Sequence, residues 1–532
     1  MEIFEKLNNM VKKISKYLGG KVEILLLITV LILFASIEKA FVFSNIVDSD
    51  SVENIIWAQA TIDSGELVSK SFIYPYFIPF GGNVLMIPFI KLFGFGLFAN
   101  RMGMTFFLLL TIILLIRLGR AFGLNYKCLM LFMICSLLMF RSMHGMNLLR
   151  HILYYQIGLA CFLGVMTIVI SFCKTNSIEV VNYIELIIWG YIAGINGAPT
   201  LALSIIPILL GVIICIILKK KIEDSALIKI AGAIFIGALL GYVSYGLFTK
   251  GGMTHNYLDA TGAYQFLDLD EWISNIQKLP RDWILSFMVL PPKGINFFSL
   301  NSIEIALELI LSGIVVILPI VYCFKNNSKI RDETAWLILI VSIIMIWAVC
   351  LLEYVFLRGS EVRLLGNAFF VTVVLFAIIV STILFKRKRI VVLLCLCVIF
   401  MSTQLLFRNN NLDTNLIDHL KENNLEFGYA DYWQANVNTV ISEGNIKIRS
   451  MYITPEGEIW ASWYGTDRKW FHRPECDKFF VIATDDDLEL ISMENQEALS
   501  FVESTFDIDD KHILVFNSEN WDKIITGEFL PQ

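Results

Sequence analysis

The densest group of residues able to do chemistry is the run Asp48-Ser49-Asp50-Ser51-Val52-Glu53. It follows directly on an apolar stretch, where carboxylates are costly unless they are solvated, paired or used. Asp50, assisted by Asp48, could accept the proton of an attacking hydroxyl. The same two carboxylates could hold a divalent cation, Mg²⁺ or Mn²⁺, with phosphate and water completing an all-oxygen shell, and the sequence leaves metal use open. The plainer reading makes Asp50 a helix N-cap, with Glu53 three residues on completing a capping box.

Two cationic groups could complement these carboxylates. Arg141, His144, Arg150 and His151 bracket the turn 144–151, and Arg358 and Arg363, with Glu361 between them, fill the turn 357–363. Guanidinium groups suit phosphate because they present fixed, bidentate donors. The competing reading is that each snorkels to lipid headgroups. His255, in a longer loop, reads as a solvated histidine.

The elements that must position these residues are set by composition. The 532 residues are 56% hydrophobic and 17% charged, and the mean hydropathy is +0.67, which excludes a soluble globular enzyme and a disordered chain. A helix needs about 20 apolar residues to cross a bilayer, and about eleven runs qualify: 24–43, 98–118, 127–143, 152–172, 183–197, 201–218, 226–248, 303–324, 335–356, 364–385 and 390–407. Gly194, Gly197 and Pro199 are expected at a turn. The fold class is therefore an all-α polytopic membrane protein with a small α+β domain at its C-terminal end.

Lysine and arginine cluster before the first run and then in every second loop, which puts the N-terminus in the cytoplasm by the positive-inside bias. Segments 44–97, 144–151, 249–302 and 357–363, and the whole tail, then fall outside. Within the first of these, a helix with Val52, Ile55, Ile56 and Ile62 on one side and an end at Gly65 is expected to lie along the membrane surface. Nine of the ten cysteines sit in apolar runs and read as small buried hydrophobes.

The net charge of −6 conceals a division. Residues 408–532 hold 10 basic and 24 acidic residues, against 32 and 24 upstream. Two domains follow: a multi-span membrane domain, 1–407, with a first outer loop 44–97 and a large outer loop 249–302, and an acidic extracytoplasmic domain, 408–532. In the latter a helix is expected near 415–424 and strands over 446–453, 458–464, 479–483 and 512–516, with Asp485-Asp486-Asp487 as a turn. Tyr429, Tyr432, Trp433, Trp460, Trp463 and Trp470 would form either a sugar-stacking surface or its core.

The run from Asp48 to Arg101 resembles the N-terminal region of the GT-C glycosyltransferases, a superfamily that includes protein O-mannosyltransferases and aminoarabinose transferases. The resemblance is carried by Asp48-Ser49-Asp50 after the first span, Ala58, Asp63-Ser64-Gly65, Tyr74-Pro75, Lys91-Leu92-Phe93-Gly94 and Asn100-Arg101, about a tenth of the chain. It implies a multi-pass enzyme of the cell membrane that takes a sugar from a polyprenyl-phosphate carrier and adds it to a glycan, lipid or protein acceptor outside, with Asp50 as the catalytic carboxylate. Such an enzyme contacts membrane lipids and needs no nucleic acid. Members often carry Asp-Glu where this chain has Asp50-Ser51, which turns attention to Asp48. Two other classes stay open: a flippase for lipid-linked saccharides, and a non-catalytic scaffold of envelope assembly.

Overall fold

The computed structural model describes residues 22–45, 47–74, 77–150, 157–218, 224–250, 265–289, 294–383, 387–406, 412–462 and 464–525. The lysines before Val22, Lys219 to Lys221, Lys386, Pro75, His151, His255, Asp259, Pro291 to Lys293, Trp463 and the 407/408 boundary lie outside them.

The membrane part is helical, as the apolar runs require. Its helices are α1 (Val22–Val42), α2 (Ser49–Ser64), α3 (Leu97–Ala121), α4 (Tyr126–Phe140), α5 (Met143–Arg150), α6 (Ile157–Thr175), α7 (Val180–Ile195), α8 (Ile205–Ile217), α9 (Asp224–Thr249), α10 (Leu269–Leu285), α11 (Leu300–Lys325), α12 (Thr334–Leu357), α13 (Val362–Ile383) and α14 (Lys388–Leu406). Among the described residues, eight are long and apolar enough to cross a membrane, and three more of the expected runs fall on the shorter apolar helices α4, α7 and α8. Helix α13 is enclosed by its neighbours along almost its whole length.

The closest pairing is between α7 and α9. Gly190 and Gly194 on α7 face Gly237 and Gly241 on α9, and a Cβ on Gly194 would come within 2.2 Å of the Ala238 carbonyl oxygen. These are two small-xxx-small stripes that let backbones touch. Gly194 is thus a packing residue inside α7 and not part of a turn; the turn is made by Gly197, with φ +88°.

One rim of the bundle is laced by ion pairs between basic residues and helix-end glutamates. Arg117 donates to Glu185 at 2.9 Å, Lys174 to Glu333 at 2.9 Å, and Lys127 pairs with Glu23. The opposite rim carries α2, α5, α10 and the C-terminal domain.

That domain is built from α15 (Asn415–Glu422), β2 (Phe427–Ala430), α16 (Tyr432–Ile441), β3 (Lys447–Ile453), β4 (Ile459–Ala461), β5 (Thr466–Asp467), β6 (Lys478–Thr484), α17 (Asp485–Glu494), β7 (Val502–Ile508) and β8 (Lys511–Asn517). Six strands form a mixed sheet in the order β4-β3-β2-β6-β8-β7, with β2 parallel to both β3 and β6. Residues alternate between its faces with the period of two that strands impose. Phe479 and Val481 enter one core with Ile491, and Phe480 and Ile482 enter the other with Leu416 and Ala435. The three aspartates do not form a turn. Thr484 caps α17, its hydroxyl accepting from Asp487 N while Asp487 reaches back to Thr484 N at 3.0 Å, so the negative charges sit at the positive end of the helix.

The domain is stitched to the segment between α1 and α3. Strand β1 (Phe72–Ile73) pairs antiparallel with β5. Arg468 N donates to Ser71 O at 2.8 Å, and Ser71 Oγ to Asp467 at 3.1 Å. Phe72 meets Trp470 edge-on at 5.9 Å, and Arg449 lies 3.9 Å over the same indole. Val437 and Val440 of α16 join the apolar cluster of the membrane helices.

Candidate functional site

Helix α2 carries the carboxylates Asp50 and Glu53, and its start differs from the expected one. The N-cap is Asp48: its Oδ1 accepts from Ser51 N at 2.8 Å, and Ser51 Oγ closes the box from Asp48 N at 3.1 Å. The cap spacing fits both Asp48-x-x-Ser51 and Asp50-x-x-Glu53, and the helix takes the earlier register. Asp50 is thereby released from capping into the first turn, with Glu53 three residues on along the same face. The helix ends at Gly65, which adopts φ +69° as expected.

The apolar residues of the helix are covered by protein and not left open for a membrane surface. Val52, Ile55, Trp57 and Ala58 are fully buried, and so is Glu53. Both sides are covered because α16 lies over the face that an isolated outer loop would expose. Ser49 Oγ contacts the main-chain oxygens of Tyr432 and Trp433, at 2.6 and 3.1 Å. Asn100 Nδ2 donates to Ser51 O from below at 3.0 Å.

At the centre of this contact, the Tyr432 hydroxyl donates to Asp50 Oδ1 at 2.8 Å. Burial, and then the charges of Glu53 and Asp50, hold the phenol well above its ordinary range, so it stays protonated and acts as a donor. Tyr464 stands edge-on to the Tyr432 ring at 4.9 Å. Gly465, at φ +59°, brings the following turn close to Glu53. The N-terminus of α16 is fixed by Asp431, which accepts from Trp433 N at 2.6 Å and Gln434 N at 3.1 Å.

The expected cations divide. Arg141 is 2% exposed and donates to Glu308 at 2.7 Å and to Glu304. His144, also 2% exposed, bonds Ser286 at 2.8 Å and packs on Phe369; burial pushes it down to about 3, so it is neutral. These two are therefore built into the protein interior. Arg150 ends α5, a helix packed against α2. Arg358 follows the end of α12 and Arg363 lies in the first turn of α13, beside α10, with Arg363 paired to Glu361.

The aromatic residues of the tail also divide. Tyr429 is core, Trp433 is exposed, Trp470 serves the interface, and Tyr432 faces the carboxylates. Asp50 and Glu53 together offer hard oxygen donors suited to a divalent cation only with further ligands from phosphate and water. Among the described residues, no group of three or more His, Cys, Asp or Glu is placed to hold a metal. The sequence offered Glu53 only as a capping partner and Tyr432 only as a stacking or core aromatic. The first was legible as an i, i+3 partner of Asp50, whereas the second carries no local signal.

The fold has solved counterparts. ArnT from Cupriavidus metallidurans, an aminoarabinose transferase of the GT-C superfamily, matches in its apo state with a TM-score of 0.55 and 11% identity, over 94% of this chain and 98% of that one. The same protein bound to undecaprenyl phosphate matches with a TM-score of 0.53 and 12% identity over the same shares. No protein-family model and no curated protein matches the chain. At this identity the likeness shows the fold: a GT-C-like helical membrane part carrying a sheet-containing C-terminal domain.

Proposed function

We propose that this protein is a membrane glycosyltransferase that moves a sugar from a polyprenyl-phosphate carrier to an extracytoplasmic acceptor. The observation that carries the reading is the placement of Asp50: a carboxylate at the start of α2, just beyond the first span, enclosed between the bundle and the C-terminal domain. The fold it shares with a protein solved with undecaprenyl phosphate supports the choice of donor.

In this reading the acceptor hydroxyl gives its proton to Asp50 as its oxygen bonds to the anomeric carbon. The bond from that carbon to the carrier phosphate breaks, and polyprenyl phosphate leaves with the electron pair. Arg150, His151, Arg358 and Arg363 are the candidates to stabilise the phosphate charge. Arg141 and His144 shape the interior beneath, and Asp48 sets the register of α2. Asp50 and Glu53 would be the protein ligands of any Mg²⁺ or Mn²⁺. The acceptor is a glycan, lipid or protein at the outer face of the cell membrane. The N-terminus lies in the cytoplasm, since the ion-paired basic rim belongs there by the positive-inside bias and the carboxylates lie on the other rim.

The test is transfer of a labelled sugar from polyprenyl-phosphate donor by the full chain in lipid vesicles. Asp50→Asn abolishes transfer, and full activity of that variant would end the assignment. A flippase would instead move lipid-linked sugar across sealed vesicles with no new glycosidic bond.

A further inference from the structure

The Tyr432 hydroxyl reaches Asp50 across 382 residues of sequence, from one domain to the other. A bond of this kind either docks the two domains or tunes the carboxylate, and the surroundings separate these possibilities. Docking is already carried elsewhere: by the β1–β5 pairing, by the Ser49 contacts to two main-chain oxygens, by Arg468 N on Ser71 O, and by the Phe72–Trp470 and Arg449–Trp470 contacts. One phenolic hydroxyl adds little to so many main-chain and ring contacts.

What the hydroxyl does beyond docking is fix one oxygen of Asp50. The phenol has little freedom of its own. Its main chain is held by Ser49, its helix start is capped by Asp431, and its ring is wedged against Tyr464. A rigid donor on Oδ1 sets the rotamer and plane of the carboxylate. Glu53 stands on the same helix face, buried, with Gly465 close to it.

We propose that Tyr432 is a positioning residue for the Asp50 carboxylate, so that the C-terminal domain supplies part of the transfer site. The inference rests on the reading of Asp50 as the base. It makes the second domain a component of the reaction centre and explains why α16 lies against α2.

The experiment uses the full chain in vesicles with labelled polyprenyl-phosphate sugar, comparing wild type, Asp50→Asn and Tyr432→Phe. The phenylalanine variant keeps the ring and loses the donor. It lowers kcat about 10- to 100-fold, in line with the loss expected from a misplaced reacting group, with KM for the donor nearly unchanged. Its melting temperature stays at the wild-type value. A purely structural role would instead lower the melting temperature and raise KM alongside the fall in kcat, which overturns the inference. A second variant guards against misfolding: 3-fluorotyrosine at position 432 is nearly isosteric and keeps the donor, and it holds kcat within about threefold of wild type. A kcat as low as that of Tyr432→Phe there also overturns the inference. Wild-type rates in Tyr432→Phe beside an inactive Asp50→Asn would refute the role of Tyr432 and leave the glycosyltransferase reading intact. An active Asp50→Asn would remove the premise of both.

Discussion

Arg141 donates from Nη1 to Glu308 at 2.7 Å while its Nη2 bonds Glu304, and all three side chains are within 2% of complete burial. Glu304 and Glu308 are one turn apart on α11, so one guanidinium spans both. Removing it strands two carboxylates in a place without water. Arg141→Met should therefore destabilise the protein by about 3 to 5 kcal/mol. Arg141→Met combined with Glu304→Leu and Glu308→Leu should recover much of that loss. Thermal unfolding in detergent checks both; an unchanged midpoint in Arg141→Met would show the triad to be dispensable.

Asp48 and Asp50 differ in kind although they are two residues apart. Asp48 accepts the Ser51 amide, a task that asparagine performs equally well. Asp48→Asn should keep transfer within about threefold of wild type, and Asp48→Ala should lose about 1 kcal/mol of stability from the open helix end. A transfer rate in Asp48→Asn as low as in Asp50→Asn would return Asp48 to the reaction.

The contact of α7 with α9 leaves no room for a side chain. Gly194→Leu or Gly241→Leu would drive a Cβ into a backbone oxygen, since even the first carbon falls 2.2 Å from one. Loss of about 2 to 3 kcal/mol is expected from overpacking alone. Gly246, whose Cβ would meet nothing within 4 Å, should accept alanine with no measurable change in melting.

His512 lies between Asp485 and Asp507, with 2.7 Å to each. Those two hydrogen bonds raise it above its ordinary value of 6.5. A histidine raised in the folded state stabilises fully below about 6.5 and loses that contribution as pH climbs through its folded value. Because the aspartates are largely exposed, the effect is small, on the order of 0.5 kcal/mol. Amide exchange along β7 and β8 of the full protein should be slower near pH 5 than near pH 8 after correction for intrinsic rates, and His512→Gln should abolish the difference.

The apolar runs were readable because each helix in a bilayer carries its own evidence: length, hydropathy and flanking charge are local. The tail strands β3, β4, β6 and β8 were readable for the same reason, as short β-branched and aromatic runs such as Phe479 to Ala483, whereas β2 and β7 were not. What escaped was relational. Helix α2 has an amphipathic sequence, and its second cover, α16, lies hundreds of residues away. The two cap registers at Asp48 and Asp50 are equal in spacing, and the choice depends on Asn100 and Ser49 finding partners at Ser51 and α16. Arg141 looked like an outer-rim cation because Glu304 and Glu308 fall inside another apolar run. Tyr432 had aromatic company in sequence that gave no hint of a carboxylate.

The pairing of β1 with β5 also governs the timing of assembly. Ser71 and Asp467 are 396 residues apart, and a ribosome adding about 5 to 20 residues per second needs roughly 20 to 80 s to bridge that gap. Throughout that interval α2 is already delivered but lacks its cover, and Asp50 has no phenol. On the proposed reading, a nascent or truncated chain would be anchored and threaded yet lack the group that positions Asp50, and full activity would wait for the finished molecule.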